Sequence, residues 1–76
     1  MAARAYVLIE TAVGKSGEVT KTIKGVRGVK SVDQVTGPYD VITIIEAASL
    51  SEIGDLVTSK IHPVPGIART VTCLAV

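Results

Sequence analysis

The sequence predicts an α+β domain with the element order β-α-β-β-α-β, and three observations predict it. Runs rich in β-branched residues alternate with two stretches of helical periodicity. The apolar residues, 47% of the 76, are almost all Val, Ile, Leu and Ala, with two Tyr and no Phe or Trp, a composition that suits pleated surfaces. The chain also matches itself at an offset of 38 residues, pairing Val19 with Val57, Thr20 with Thr58, Ile23 with Ile61, Val26 with Val64, Gly28 with Gly66 and Val29 with Ile67. Each half is then one strand-helix-strand unit. Two such units with right-handed crossovers make a four-stranded antiparallel sheet with both helices on one face, the ferredoxin-like fold. Residues 1–76 form a single domain with no linker or low-complexity stretch.

Ala5-Tyr6-Val7-Leu8-Ile9 is the first strand and ends in the polar stretch from Glu10 to Gly14. Ser16 is expected to cap a helix whose apolar positions are Val19, Ile23 and Val26. Glu18, Lys21 and Lys24 fall on its other side, and Gly25 and Gly28 stop it. Val29 to Thr36 reads as the second strand, closed by the turn pair Gly37-Pro38. Val41-Ile42-Thr43-Ile44-Ile45 is the most strongly patterned strand. Ser49 and Glu52 form a capping box that opens a second helix, with Leu50, Ile53, Val57 and Ile61 expected inward. His62-Pro63-Val64-Pro65-Gly66 ends it, and Ile67 to Val76 is the last strand.

Eight basic and seven acidic residues leave a net charge of +1, which excludes disorder and argues against a polyanion binder driven by bulk charge. The single cysteine excludes a disulfide framework and an intrachain multi-cysteine metal site. Met1 to Arg4 open no charged and apolar leader, and no apolar run is long enough to span a bilayer. A reducing, cytoplasmic location is expected, with no membrane partner and no cofactor. A core this small calls for oligomerisation in the absence of disulfides or metal.

Alternation along the strands sharpens that expectation. Ala5, Val7 and Ile9 share one face while Tyr6 and Leu8 share the other. Val41 and Ile45 oppose Ile42 and Ile44, and Leu74 and Val76 oppose Val71, Cys73 and Ala75. Both faces are apolar, yet the helices cover only one, so two chains are expected to stack their open faces as an obligate dimer.

Most motifs resolve to ordinary roles. Gly14-Lys15-Ser16 sits where a phosphate loop would, but Ile9 stands in place of the required glycine. The third strand lacks the stacking aromatics of RNA-recognition modules, so no direct nucleic-acid binding is expected. Five basic residues between Lys15 and Lys30 read as a solvated helix face. His62 reads as a partner of a helix dipole and Cys73 as a small core residue. With one His, one Cys and no Asn, there is no catalytic constellation.

Thr36-Gly37-Pro38-Tyr39-Asp40 holds the remaining chemistry and has two readings. In one it is a tight turn, with Asp40 capping backbone and Tyr39 covering an edge. In the other, glycine lets backbone N–H groups point at a carboxylate while Asp40 meets an ammonium, which suits an amino-acid zwitterion. Thr70 and Thr72, on one face of the last strand, would add hydroxyls from the same chain or a neighbour.

These residues also carry a resemblance. Val35-Thr36-Gly37-Pro38-Tyr39-Asp40-Val41, Val64-Pro65-Gly66-Ile67 and Arg69-Thr70-Val71-Thr72, with the opening Ala5 to Ile9, resemble the C-terminal ligand-binding domain of Lrp/AsnC regulators, the module for regulation of amino-acid metabolism. The resemblance covers essentially the whole chain. It implies the ferredoxin-like fold as a dimeric α+β barrel, assembly of homodimers into higher oligomers, and an amino-acid effector bound between adjacent dimers. By position, Gly37, Tyr39 and Asp40 would form the effector loop and Thr70 and Thr72 the facing wall. Relatives carry an N-terminal helix-turn-helix domain, whereas this chain starts at the first strand. The expectation is a stand-alone, non-enzymatic effector module that modulates Lrp/AsnC-type transcription regulation, with full-length regulators as partners. Two rivals stand beside it: a small dimeric α+β barrel enzyme such as a monooxygenase, and a purely structural oligomerisation partner.

Overall fold

The computed structural model describes residues 2–76, so Met1, part of the expected leaderless start, lies outside the described residues. The elements are β1 (Ala3–Thr11), α1 (Ser16–Lys24), β2 (Val29–Gln34), β3 (Val41–Ala47), α2 (Leu50–Leu56), a π-helical turn (Val57–Ile61) and β4 (Ile67–Leu74). The strands form one antiparallel sheet in the order β2-β3-β1-β4. This is the expected ferredoxin-like arrangement, with the two halves interleaved.

Register sorts the side chains as the alternation requires. Ala5, Val7 and Ile9 of β1 face Ile45, Thr43 and Val41 of β3, and all six are fully buried. Val19 and Ile23 of α1, with Ile53 and Ile61 of the second helical segment, close over them in the same core. An aliphatic core of this kind is stabilised by area removed from water, at about 25 cal/mol per Å². Thr43 is the polar member of those six strand residues, and its hydroxyl donates to Ser31 O at 2.8 Å, so its burial leaves nothing unsatisfied.

The repeat reappears in the backbone. Gly28 and Gly66, equivalent in the two halves, have φ of 97° and 98°, a left-handed region that side chains avoid. Gly28 O accepts from Glu46 N and Gly66 O from Ala12 N, at 2.9 and 2.8 Å. Each glycine thus turns the chain from a helix into an edge strand while anchoring to the other half.

Several local expectations are corrected. Ser16 does not cap α1: Lys15 occupies the cap position with no side-chain hydrogen bond, and the Ser16 hydroxyl accepts from Gln34 Nε2 at 3.0 Å instead. Helix α1 ends at Lys24, which leaves Val26 packed on the core from outside the helix. The Ser49 cap holds, since its Oγ accepts from Glu52 N at 3.2 Å and the Glu52 carboxylate accepts from Ala48 N at 2.9 Å. Leu50, expected inward, is 57% exposed. The helix then widens, with His62 N–H donating to Val57 O at 2.7 Å, just before Pro63, a residue that cannot continue a regular turn. Strands β2 and β4 stop at Gln34 and Leu74, two residues short of expectation in each case.

Cys73 is exposed and not a core residue. It pairs with Tyr6 in register, and Tyr6 with Ile44, so all three lie on the face away from the helices. Leu8, Ile42 and Val71 share that face and are only half-buried, while Tyr6 is exposed. The open apolar face is therefore present in the folded chain.

Candidate functional site

The segment between β2 and β3 closes with Val35 N–H donating to Asp40 O at 2.8 Å. Gly37 sits at its apex with φ 138° and open space around it, and Pro38 follows with no N–H to offer. Asp40 fastens this turn to the end of β1 twice. Its N–H donates to Ile9 O at 2.9 Å, and its Oδ2 accepts from Thr11 N at 2.8 Å. Asp40 therefore caps backbone, as the first of the two readings expects, and its other carboxylate oxygen has no partner among the described residues. The N–H groups of Gly37 and Tyr39 likewise have no backbone partner among them. The turn thus holds free donors beside a fixed carboxylate.

Tyr39 reaches across the end of the sheet. Its hydroxyl accepts from Arg69 Nη2 of β4 at 3.4 Å, a long contact between exposed groups. Arg69 sits opposite Glu10 in register, and Thr70 next to it sits opposite Ile9. Arg69 had no assigned role in the sequence, because only the sheet order brings it beside the turn. Thr70 and Thr72 do share a face, the helix side of β4, opposite Ile9 and Val7. Thr70 is half-buried at the turn's end of the sheet, whereas Thr72 is exposed and lies further along the strand. Within one chain Thr72 does not meet Gly37, Tyr39 or Asp40.

Thr72 instead lines a second feature that the sequence did not reveal. A groove of about 310 Å³ runs between α2 and β4, walled by Leu50, Ile53, Gly54 and Val57 on one side and Thr72 and Leu74 on the other. Its one sequence signal was Leu50, misread as inward. At the opposite end of the sheet from the turn, Arg4 donates to Glu46 Oε2 through Nε at 3.0 Å and Nη2 at 2.6 Å, and Lys30 stands 3.7 Å from Oε1. The Arg4 hydrogen bonds hold the Glu46 carboxyl below the usual glutamate range, with the charges of Arg4 and Lys30 adding to the effect and partial desolvation opposing it. One carboxylate is here shared between two cations. Among the described residues, no group of three or more His, Cys, Asp or Glu side chains is placed to hold a metal ion. No helix among them is long and apolar enough to cross a membrane.

Residues 4–76 match the Lrp/AsnC ligand binding domain. The chain belongs to this family. An uncharacterized HTH-type transcriptional regulator of Pyrococcus furiosus is 33% identical over 58 residues, which is 76% of this chain and 39% of that protein. The chain thus matches well under half the length of that curated relative. The crystal structure of a hypothetical protein from Pyrococcus horikoshii superposes with a TM-score of 0.90 at 34% identity, covering 100% of this chain and 90% of that one. A transcriptional regulator of Neisseria meningitidis, solved as an L-Met complex, has a TM-score of 0.85 at 12% identity, covering 97% of this chain and 49% of that one. The last likeness is one of fold. The family is a ligand-binding domain of regulators, and the Pyrococcus furiosus and Neisseria relatives are transcriptional regulators by description.

Proposed function

We propose that this chain is a non-enzymatic amino-acid effector-binding and oligomerisation module that acts on Lrp/AsnC-type transcriptional regulation without touching DNA itself. The observation that carries the reading is the turn: unspent N–H groups at Gly37 and Tyr39 beside an Asp40 carboxylate that Thr11 holds by one oxygen. The donors suit the ligand's carboxylate, and the free oxygen of Asp40 suits its ammonium group. Thr70 and Thr72 supply hydroxyls on the helix side of β4, and Tyr39, tethered by Arg69, flanks the entrance. The Neisseria relative's complex with L-Met is in keeping with an amino-acid ligand.

Because Thr72 lies away from the turn in one chain, the full set of groups comes together across copies. Homodimers stack through the open face of Tyr6, Leu8, Ile42, Ile44, Val71 and Cys73, and assemble further so that the turn of one copy meets the β4 wall of another. For the monooxygenase-type alternative, Thr43 points into the helix-side core and is removed from the open face, where Tyr6 remains with Ser31 and Asp33 on the edge strand.

A thermal-shift screen against the twenty amino acids, on the wild type and Asp40→Asn, tests the proposal. Asparagine keeps an acceptor for Thr11 N–H but removes the charge. A stabilising hit that is lost in Asp40→Asn is expected. Silence across the whole set would overturn amino-acid binding and leave the structural-partner role.

A further inference from the structure

The passage from α1 into β2 carries charge that its counterpart in the other half does without. Gly28 and Gly66 make the same joint, with Gly28 O accepting from Glu46 N and Gly66 O from Ala12 N. At Gly66 the residues in the corresponding places are Ala12, Pro65 and Ala68, whereas at Gly28 they are Glu46, Arg27 and Lys30. The joint thus closes with no charge at any of these three places, and the charges at Gly28 serve something other than closing it.

Arg4 holds the Glu46 carboxylate through Nε and Nη2, which fixes the guanidinium plane. Lys30 is held loosely, with Nζ 3.7 Å from the carboxylate and a side chain that is 61% exposed. Val29 pairs with Ile45 and Ser31 with Ile44, so Lys30 is the extra residue of a bulge with no register partner on β3. Bulges of this kind re-aim a side chain and are common beside functional sites. Arg27, next to Gly28, is exposed and makes no ion pair among the described residues. Beside these groups lies a cavity of about 310 Å³, lined by Ala2, Gly28, Val29, Lys30, Glu46 and Ala47. Arg4 and Glu46 pair at the end of the face that bears Tyr6 and Ile44, a place where an interface keeps a polar, solvated rim.

We propose that this joint binds a phosphate dianion, either free or as the terminal group of a small phosphorylated molecule. Arg4, Arg27 and Lys30 stand against the single carboxylate of Glu46, which leaves two positive charges unmatched. A phosphate group carries about −1.5 to −2 near neutral pH and so meets that excess, which a single carboxylate does not. An arginine fork offers paired N–H groups to an oxyanion, and a lysine adds a point charge on a stem free to move toward it. Glu46 keeps together cations that would otherwise repel one another. The cavity lies at the lower end of the roughly 300–1,000 Å³ spanned by ligand sites, a size for a small molecule. The proposal does not rest on the effector reading, since the turn of Gly37 to Asp40 lies at the other end of the sheet.

Backbone amide resonances of isotope-labelled protein, followed by NMR during titration with inorganic phosphate against chloride at the same ionic strength, test the site. The amides of Gly28, Lys30 and Glu46 should shift and saturate, and those of Ala12 and Gly66, at the uncharged joint, should stay in place. Glycerol phosphate should reproduce the shifts if the site takes a phosphorylated ligand, while a response to inorganic phosphate alone assigns it to the free ion. Lys30→Gln removes an exposed charge and should weaken binding about tenfold or more. The double variant Lys21→Gln/Lys24→Gln, on the exposed side of α1, removes more charge and should leave the affinity within about twofold, because screened surface charges at a distance contribute little. An equal loss in that double variant would reduce the effect to bulk charge and overturn the site. So would shifts that spread along α1 without saturating, acetate binding as tightly as phosphate, or no response at Gly28 and Lys30.

Discussion

Gly66→Ala examines the joint that delivers β4 to both the turn and the groove. At φ 98°, a Cβ costs about 1–2 kcal/mol in backbone strain. The same Cβ would stand 3.0 Å from Lys15 Cβ and 3.2 Å from Val19 Cγ2. Val19 is fully buried and β-branched, so it has little room to turn aside, and crowding of that kind costs a further 1–3 kcal/mol or so. Reduced freedom of the unfolded chain returns about 0.4–1 kcal/mol. The net loss is about 1–4.5 kcal/mol, against a total of about 4–11 for a domain of this length. Gly28→Ala shares the strain, but its Cβ meets the terminal Cδ1 of half-buried Leu56 at 2.7 Å. That methyl can rotate away, so the loss should be nearer 1–2 kcal/mol. Gly54→Ala should reverse the sign and gain about 0.5–1 kcal/mol. Urea unfolding of all three at one protein concentration gives the order directly. If Gly66→Ala unfolds within about 0.5 kcal/mol of the wild type, the account of this turn is wrong.

Asp40→Ala leaves the Thr11 N–H without its acceptor and should lower stability by about 1–2 kcal/mol, while Asp40→Asn should lose less; equal losses in urea unfolding would mean that the hydrogen bond does not matter. Ile44→Asp, on the open face, should turn a dimer into a folded monomer in analytical ultracentrifugation and leave Cys73 fully reactive to a thiol reagent; an unchanged sedimentation coefficient would remove that face from the interface. The folded Glu46 carboxyl titrates below its unfolded value, so the stability it contributes is present above the ordinary glutamate pKa of about 4.3 and is lost as pH falls through the lower folded value. Glu46→Gln should flatten the acid limb of a melting-temperature profile, and an unchanged limb would assign the acid loss to other carboxyls.

Element order, the two faces of each strand and the repeat were legible from the sequence because each is local. Alternation places Val7 and Leu8 on opposite faces whatever lies beside them, and the halves announce their equivalence through pairs such as Gly28 and Gly66, which take the same φ. Thr70 and Thr72 could be put on one face for the same reason. Errors arose where a residue's neighbour was distant in sequence. Ser16 has the chemistry of a helix cap, but Gln34 from β2 takes its hydroxyl. Leu50 and Cys73 have the character of core residues, but one lies at the rim of a groove and the other on the open face.

The site shows the same division. Its turn could be recognised from Gly37 to Asp40, yet two chemistries for Asp40 stayed open. Thr11, 29 residues earlier, supplied the backbone partner. Arg69 reaches Tyr39 because β1 lies between β3 and β4, and the groove exists because α2 lies over β1 and β3 and leaves the neighbouring edge of β4, with Thr72 and Leu74, uncovered. A chain's own periodicity specifies which way each side chain faces relative to its element. Which elements become neighbours is decided by closing the sheet and burying its core, a property of all the elements together, and from that come the site's partners and its pocket.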